Sequence, residues 1–109
     1  MANRSYVLLV LLLFLKVTVT QYHAPCSKCR TRGQTFTGRN ASLPGIAVDP
    51  KIIPLGSKVK VGEIWYLADD TGPKGKHVDI RIRNTSSAHS KVKRFGKHRM
   101  TIAVKKRNK

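Results

Sequence analysis

Apolar and polar residues alternate with period two along most of this chain, in short segments cut by turn residues. Residues 17–22 are rich in Val and Thr, 46–48 form a brief apolar run, and Lys58-Val59-Lys60-Val61 alternates strictly. Residues 64–68 are aromatic and apolar, while 78–83 and 100–105 alternate again. Pro44-Gly45, Pro50, Pro54-Leu55-Gly56 and Gly72-Pro73 punctuate these segments. One stretch has helical spacing: Ala88, Val92 and Phe95 stand at i, i+4 and i+7, with Ser86 or Ser87 placed to cap the start and Gly96 to end it. Six short strands and one helix near the C-terminus predict a small all-β barrel.

The N-terminus departs from this pattern. Arg4 precedes an uninterrupted apolar run over residues 6–15, the length of a signal-peptide core and too short to cross ~30 Å of hydrocarbon as a relaxed helix. It is read as an export signal over residues 1–16, with a boundary that extends to 20 if Thr18 and Thr20 mark the cleavage site, or as a retained anchor. Residues 17–105 then form the folded domain, outside the cytoplasm, and 106–109 a basic tail.

Charge narrows the class of partner. The 109 residues carry 22 Lys and Arg against five acids, a formal charge of +17, which calls for an anionic partner or surface. From Lys91 onward there are nine basic residues and no acid, a pattern typical of a solvated face. Nucleic acid is disfavoured by export and by the absence of any module that interleaves aromatic and basic residues.

Cys26 and Cys29 form a lone Cys-x-x-Cys. Structural zinc wants four ligands, and His23, His77, His89 and His98 offer no His-x-x-x-His pair, so no metal is expected. The flanking residues lack a thioredoxin-like pattern, which leaves a short-loop disulfide in an oxidising compartment. No cofactor is expected. Asn40-Ala41-Ser42 and Asn84-Thr85-Ser86 fit a glycosylation pattern that is common by chance and carries no functional reading here.

The acids are few and clustered. All five lie between Asp49 and Asp79, with Asp49 before Pro50 and Asp69-Asp70 before Thr71-Gly72. Alternation in 78–83 puts Val78, Ile80 and Ile82 on one face and Asp79, Arg81 and Arg83 on the other, so Asp79 faces a groove. Two carboxylates in one site repel each other and raise the pKa of one, which then holds a proton suitable for a leaving oxygen. The structural alternative is turn capping, which is preferred for Asp69. Arg39, Arg81 and Arg83 are candidates for substrate carboxylates or phosphates, against the alternative of solvated surface arginines.

The stretch Ala47-Val48-Asp49-Pro50-Lys51-Ile52-Ile53-Pro54-Leu55-Gly56-Ser57-Lys58-Val59 resembles the signature of the three-aspartate (3D) domain, a double-psi β-barrel related to membrane-bound lytic transglycosylase A. The resemblance continues through Tyr66-Leu67-Ala68-Asp69-Asp70-Thr71-Gly72, Lys74-Gly75, Val78-Asp79-Ile80 and Arg94-Phe95-Gly96, and covers nearly everything after Lys16. Upstream, residues 19–22, the cysteine pair and Thr37-Gly38 sit where the family has similar elements. It implies a six-stranded double-psi barrel whose three named aspartates are Asp49, Asp70 and Asp79. Asp79 is then the catalytic acid and base, with Asp49 and Asp70 lining the same cleft and Thr71, Gly72, Lys74 and Arg81 beside the substrate. The loop Pro73-Lys74-Gly75 is shorter than the family's usual loop, which bears on the substrate edge.

The function implied is an exported, wall-associated enzyme that cuts peptidoglycan glycan strands as a lytic transglycosylase, with anionic wall polymers as a second partner. Hydrolysis by a carboxylate pair is the neighbouring chemistry. The rival class is a non-catalytic wall-binding module in which Trp65 or Tyr66 stacks on sugar. Those two residues point to opposite faces of a strand, so at least one packs inward.

Overall fold

The computed structural model describes residues 12–26 and 33–106. Six strands run in the order β1 (Leu12–Tyr22), β2 (Gly45–Val48), β3 (Lys58–Val61), β4 (Ile64–Thr71), β5 (His77–Arg81) and β6 (His98–Lys105), with helix α1 (Ala88–Phe95) before the last. They close into one barrel with neighbour order β1-β5-β2-β4-β3-β6. Two of the contacts, β1 with β5 and β2 with β4, are parallel, and the rest are antiparallel. The small six-stranded barrel with one helix near its C-terminus is thus the fold that the alternation and the resemblance both predict.

Closure removes the sheet edges and gives every strand an inner face. Val17 and Val19 of β1, Ile46 and Val48 of β2, Val59 of β3, Ala68 of β4, Val78 and Ile80 of β5, and Ile102 and Val104 of β6 fill it. Most are β-branched, the residue type that suits a pleated, buried surface.

Several boundaries differ from the sequence pattern for physical reasons. β1 begins at Leu12, inside the apolar run, because Leu12 to Val19 pair along β6 from Lys105 back to His98. Residues 1–11 of the expected signal or anchor lie outside the described residues. No helix among the described residues is long and apolar enough to cross a membrane. β4 runs on through Asp69, Asp70 and Thr71, since parallel pairing to Ala47 and Val48 of β2 satisfies their backbone. These aspartates are strand residues, not turn residues. In α1, Ser87 takes the N-cap position without a side-chain cap bond, its hydroxyl lying 3.3 Å from that of Thr85. Gly96 ends the helix at φ 69°, a left-handed conformation that glycine adopts without strain.

Candidate active site

Four strands build one polar row. The register pairs Thr20 of β1 with Asp79 of β5, Asp79 with Ala47 of β2, and Ala47 with Asp70 of β4. Paired residues share a face of the sheet, so Thr20, Asp79, Ala47 and Asp70 line up across it. Strands are spaced ~4.8 Å apart, which puts the backbones of Asp79 and Asp70 roughly 10 Å from each other across β2. The residue between them is alanine, whose methyl leaves the space above β2 to the two carboxylates. The row opens into a cavity of about 820 Å³ lined by Tyr22, Asp70, Thr71, Lys74, His77 and Asp79, among others.

Asp79 is held from one side. The Thr20 hydroxyl donates to Asp79 Oδ1 at 3.0 Å and accepts from His77 Nε2 at 2.8 Å. His77 and Asp79 are two apart on β5, and so on one face. Burial pushes the Asp79 carboxyl above its ordinary value of 3.8; the Thr20 hydrogen bond and the His77 ring oppose the shift, and the Asp70 charge adds to it. Burial is the larger cause, and the repulsion between acids predicted from the sequence is the smaller.

Asp70 is fastened differently. Its Oδ2 accepts from the Tyr22 hydroxyl at 2.8 Å, and its Oδ1 accepts from the backbone N–H of Phe36 and of Thr71, each at 2.9 Å. Behind it, Tyr22 accepts from Arg81 Nη1 at 3.2 Å. Burial, opposed by Arg81 and reinforced by Asp70, raises the Tyr22 hydroxyl above its ordinary range, so it stays a donor to Asp70 at any physiological pH.

Arg81 and Asp69 are where the sequence expectations fail. Arg81 is fully buried rather than solvated or beside substrate, and Asp69 is buried rather than capping a turn. Arg81 Nη1 and Nη2 meet Asp69 Oδ1 and Oδ2 at 2.8 and 2.7 Å, a two-pronged pair. Arg81 also donates to the carbonyls of Leu43 and Pro44 at 2.6 and 3.2 Å. Burial, the largest single effect, works against the charge of Arg81, but Asp69 and Tyr22 together outweigh it and hold the guanidinium protonated. Arg39, also a substrate candidate, reaches Asp69 Oδ2 at 2.6 Å. The outer face of β5 is therefore covered by the 39–45 segment, and alternation alone does not show that covering.

Asp49 does not line the cavity. Its Oδ2 accepts from Gly75 N at 2.7 Å and its Oδ1 from Lys51 N at 3.0 Å, which clasps the 72–75 loop. Those two backbone bonds, Gly75 first, hold its carboxyl below 3.8. Thr71, Gly72 and Lys74, the residues expected beside substrate, all line the cavity. Gln21 lines it too, and also lines a second cavity of about 550 Å³ that carries Arg83, Lys91 and Arg94.

Of the aromatic pair, Tyr66 packs half-buried against the core and Trp65 is exposed. Register places Phe14, Ala103, Lys60 and Trp65 in one outward row across β1, β6, β3 and β4, with the Lys60 ammonium 6.0 Å from the Trp65 ring centroid. Cys26 is disulfide-bonded, and Cys29 lies outside the described residues.

Thr20, Tyr22 and His77 are site residues that the sequence did not single out. The available signal for His77 was its place two residues before Asp79.

Comparison with known proteins adds two relatives from Bacillus subtilis (strain 168). The chain is 41% identical over 95 residues to YabE, named as a cell wall shaping protein, and 42% identical over 81 residues to YocH, named as a cell wall-binding protein. These alignments cover 81% and 68% of this chain but only 22% and 28% of the relatives, so the chain spans about a quarter of their length. No family model matches the chain.

Proposed function

We propose that this chain is a cell-wall-associated domain that cleaves peptidoglycan glycan strands, with Asp79 as general acid and then general base. The observation that carries the reading is a carboxyl with a raised pKa, fixed through one oxygen by Thr20 and set on the wall of an open cleft. A carboxyl that keeps its proton above the ordinary range is suited to protonating a leaving oxygen.

In the proposed reaction, protonated Asp79 gives its proton to the glycosidic oxygen between N-acetylmuramic acid and N-acetylglucosamine, and the C1–O bond breaks. The resulting carboxylate takes the proton of the muramic C6 hydroxyl as O6 bonds to C1, closing a 1,6-anhydro ring and restoring the acid. No water enters. Asp70 keeps the cleft negative at the site of developing positive charge, Lys74 and Thr71 meet substrate at the rim, and Asp49 holds the rim loop. The names of the two relatives support placement at the wall, and the second, basic cavity supports contact with anionic wall polymer.

A second reading, a wall-binding module without catalysis, is favoured by the outward row in which Phe14 and Trp65 are exposed and Lys60 lies over the Trp65 ring, and by the name of YocH. One experiment separates the two. Purified peptidoglycan is incubated with wild type and Asp79→Asn, and soluble glycan and pelleted protein are both quantified. The enzyme reading expects wild-type release, at least ~10²-fold less release by Asp79→Asn, and equal pelleting of both. Pelleting of both with release by neither establishes the binding module.

A further inference from the structure

Away from the carboxylates, His23 just after β1, Cys26 and His89 on the first turn of α1 bring Nδ1 or Nε2 of each ring and Sγ within 4.8 Å of one another. These residues are up to 66 positions apart, so the barrel assembles a donor set that the local spacing did not offer.

The hydrogen bonds fix which atoms face inward. Asn84 Nδ2 donates to Pro25 O at 3.2 Å, which turns Asn84 Oδ1 toward His23 Nδ1 at 2.8 Å. A carbonyl oxygen only accepts, so His23 Nδ1 carries a proton, and Nε2 is the ring nitrogen through which a neutral imidazole can ligate. That Nε2 lies 3.4 Å from His89 Nδ1, with the rings at 74°. The separation is long for a hydrogen bond. It equals the edge of a metal tetrahedron, since two nitrogens each ~2.05 Å from zinc are ~3.3 Å apart. His23 is 7% exposed and oriented by an amide on its far nitrogen, the outer-contact arrangement usual for metal-bound histidine.

We propose that reduction of the Cys26 disulfide opens a zinc-type metal site formed by the Cys26 thiolate, His23 Nε2 and His89 Nδ1. A dithiol supplies two electrons and two protons, its own sulfurs joining as a disulfide while the Cys26 S–S bond becomes two thiols. On binding, the Cys26 thiol releases its proton to solvent and the thiolate sulfur ligates the ion. In the oxidised chain the sulfur is a poor donor and only the two imidazoles remain. A bound ion ties α1 to the end of β1, and both contribute to the wall of the cleft, through Val92 and through Tyr22 and His23. Metal occupancy then couples the redox state to the stiffness of that wall.

The test titrates zinc ion into the full chain, oxidised and phosphine-reduced, against a chromophoric chelator, and repeats it with cobalt ion to record spectra. The reduced chain should bind one equivalent at least ~10-fold tighter than the oxidised chain and give a thiolate-to-cobalt charge-transfer band. Asn84→Ala should weaken zinc binding ~10- to 100-fold. His23→Ala and His89→Ala, checked for folding by circular dichroism, should each lose the tight site. Alkylation of the reduced wild-type thiols should abolish it with both histidines in place. Equal affinity in the two redox states, a cobalt spectrum without the thiolate band, or tight binding that survives alkylation would overturn the proposal.

Discussion

Asp79 has a single oxygen pinned by Thr20, and that hydroxyl has one proton to give. Because it donates to Asp79, it must accept from His77. The Thr20 bond and the nearby His77 ring both favour the carboxylate, so removing the bond should leave burial less opposed and raise the pKa of Asp79 further. Thr20→Val is expected to move the alkaline limb of cleavage to higher pH, whereas Asp70→Asn, which removes a repelling charge, should move it lower. A pH–rate profile of the three proteins checks both signs.

The same shift has a stability consequence. A carboxyl whose folded pKa lies above 3.8 favours folding while protonated, and that contribution is lost as pH rises from 3.8 through the raised value. Asp79→Asn should therefore gain stability relative to wild type at neutral pH and gain nothing below the ordinary carboxylate range. Denaturant midpoints at the two pH values read this directly.

At the scale of elements, β5 and β4 are joined across the end of β2 by charge. The Arg81 to Asp69 pair is buried on both sides, so deleting Arg81 leaves buried Asp69 to the partly exposed Arg39 alone. Arg81→Met is expected to cost about 3–5 kcal/mol. Gly45 stands against this pair: a Cβ there would run into the Arg81 guanidinium and come 2.8 Å from Asp69 Oδ1. Gly45→Ala should cost about 1–3 kcal/mol by overpacking, measured by denaturant unfolding.

These elements also mark what was legible in advance. Alternation exposed six strands and the helical spacing of Ala88, Val92 and Phe95 because period is a local property. It placed Asp79 on a groove for the same reason. The burial of Arg81 was not legible, because the face it occupies is covered by a segment close to it only after the barrel closes. Asp69 looked like a turn cap because Thr71-Gly72 follows it, yet pairing with β2 carries the strand past it. Asp49 was read with Asp70 as a cleft residue, whereas its oxygens are taken up by Gly75 and Lys51 backbone.

For the molecule as a whole, charge and cleft are separable. The net charge of the chain is +17, while the acids on the row face one cavity. Association with anionic wall polymer should weaken steeply as salt is raised, since exposed charges are screened beyond about 8–10 Å at moderate ionic strength. Sedimentation with purified walls across a salt series checks this. Binding that ignores salt would place the affinity in the groove or on the Phe14, Lys60 and Trp65 row instead.

The proposed chemistry leaves its mark on the product. Internal attack by the C6 hydroxyl yields 1,6-anhydro-muramic ends, one water lighter than the ends made by hydrolysis. Mass spectrometry of glycans released by the wild-type chain from clean peptidoglycan should find the lighter ends, and Asp79→Asn should produce almost none. Hydrated ends, or lighter ends released at the wild-type rate by Asp79→Asn, would contradict the role given to Asp79.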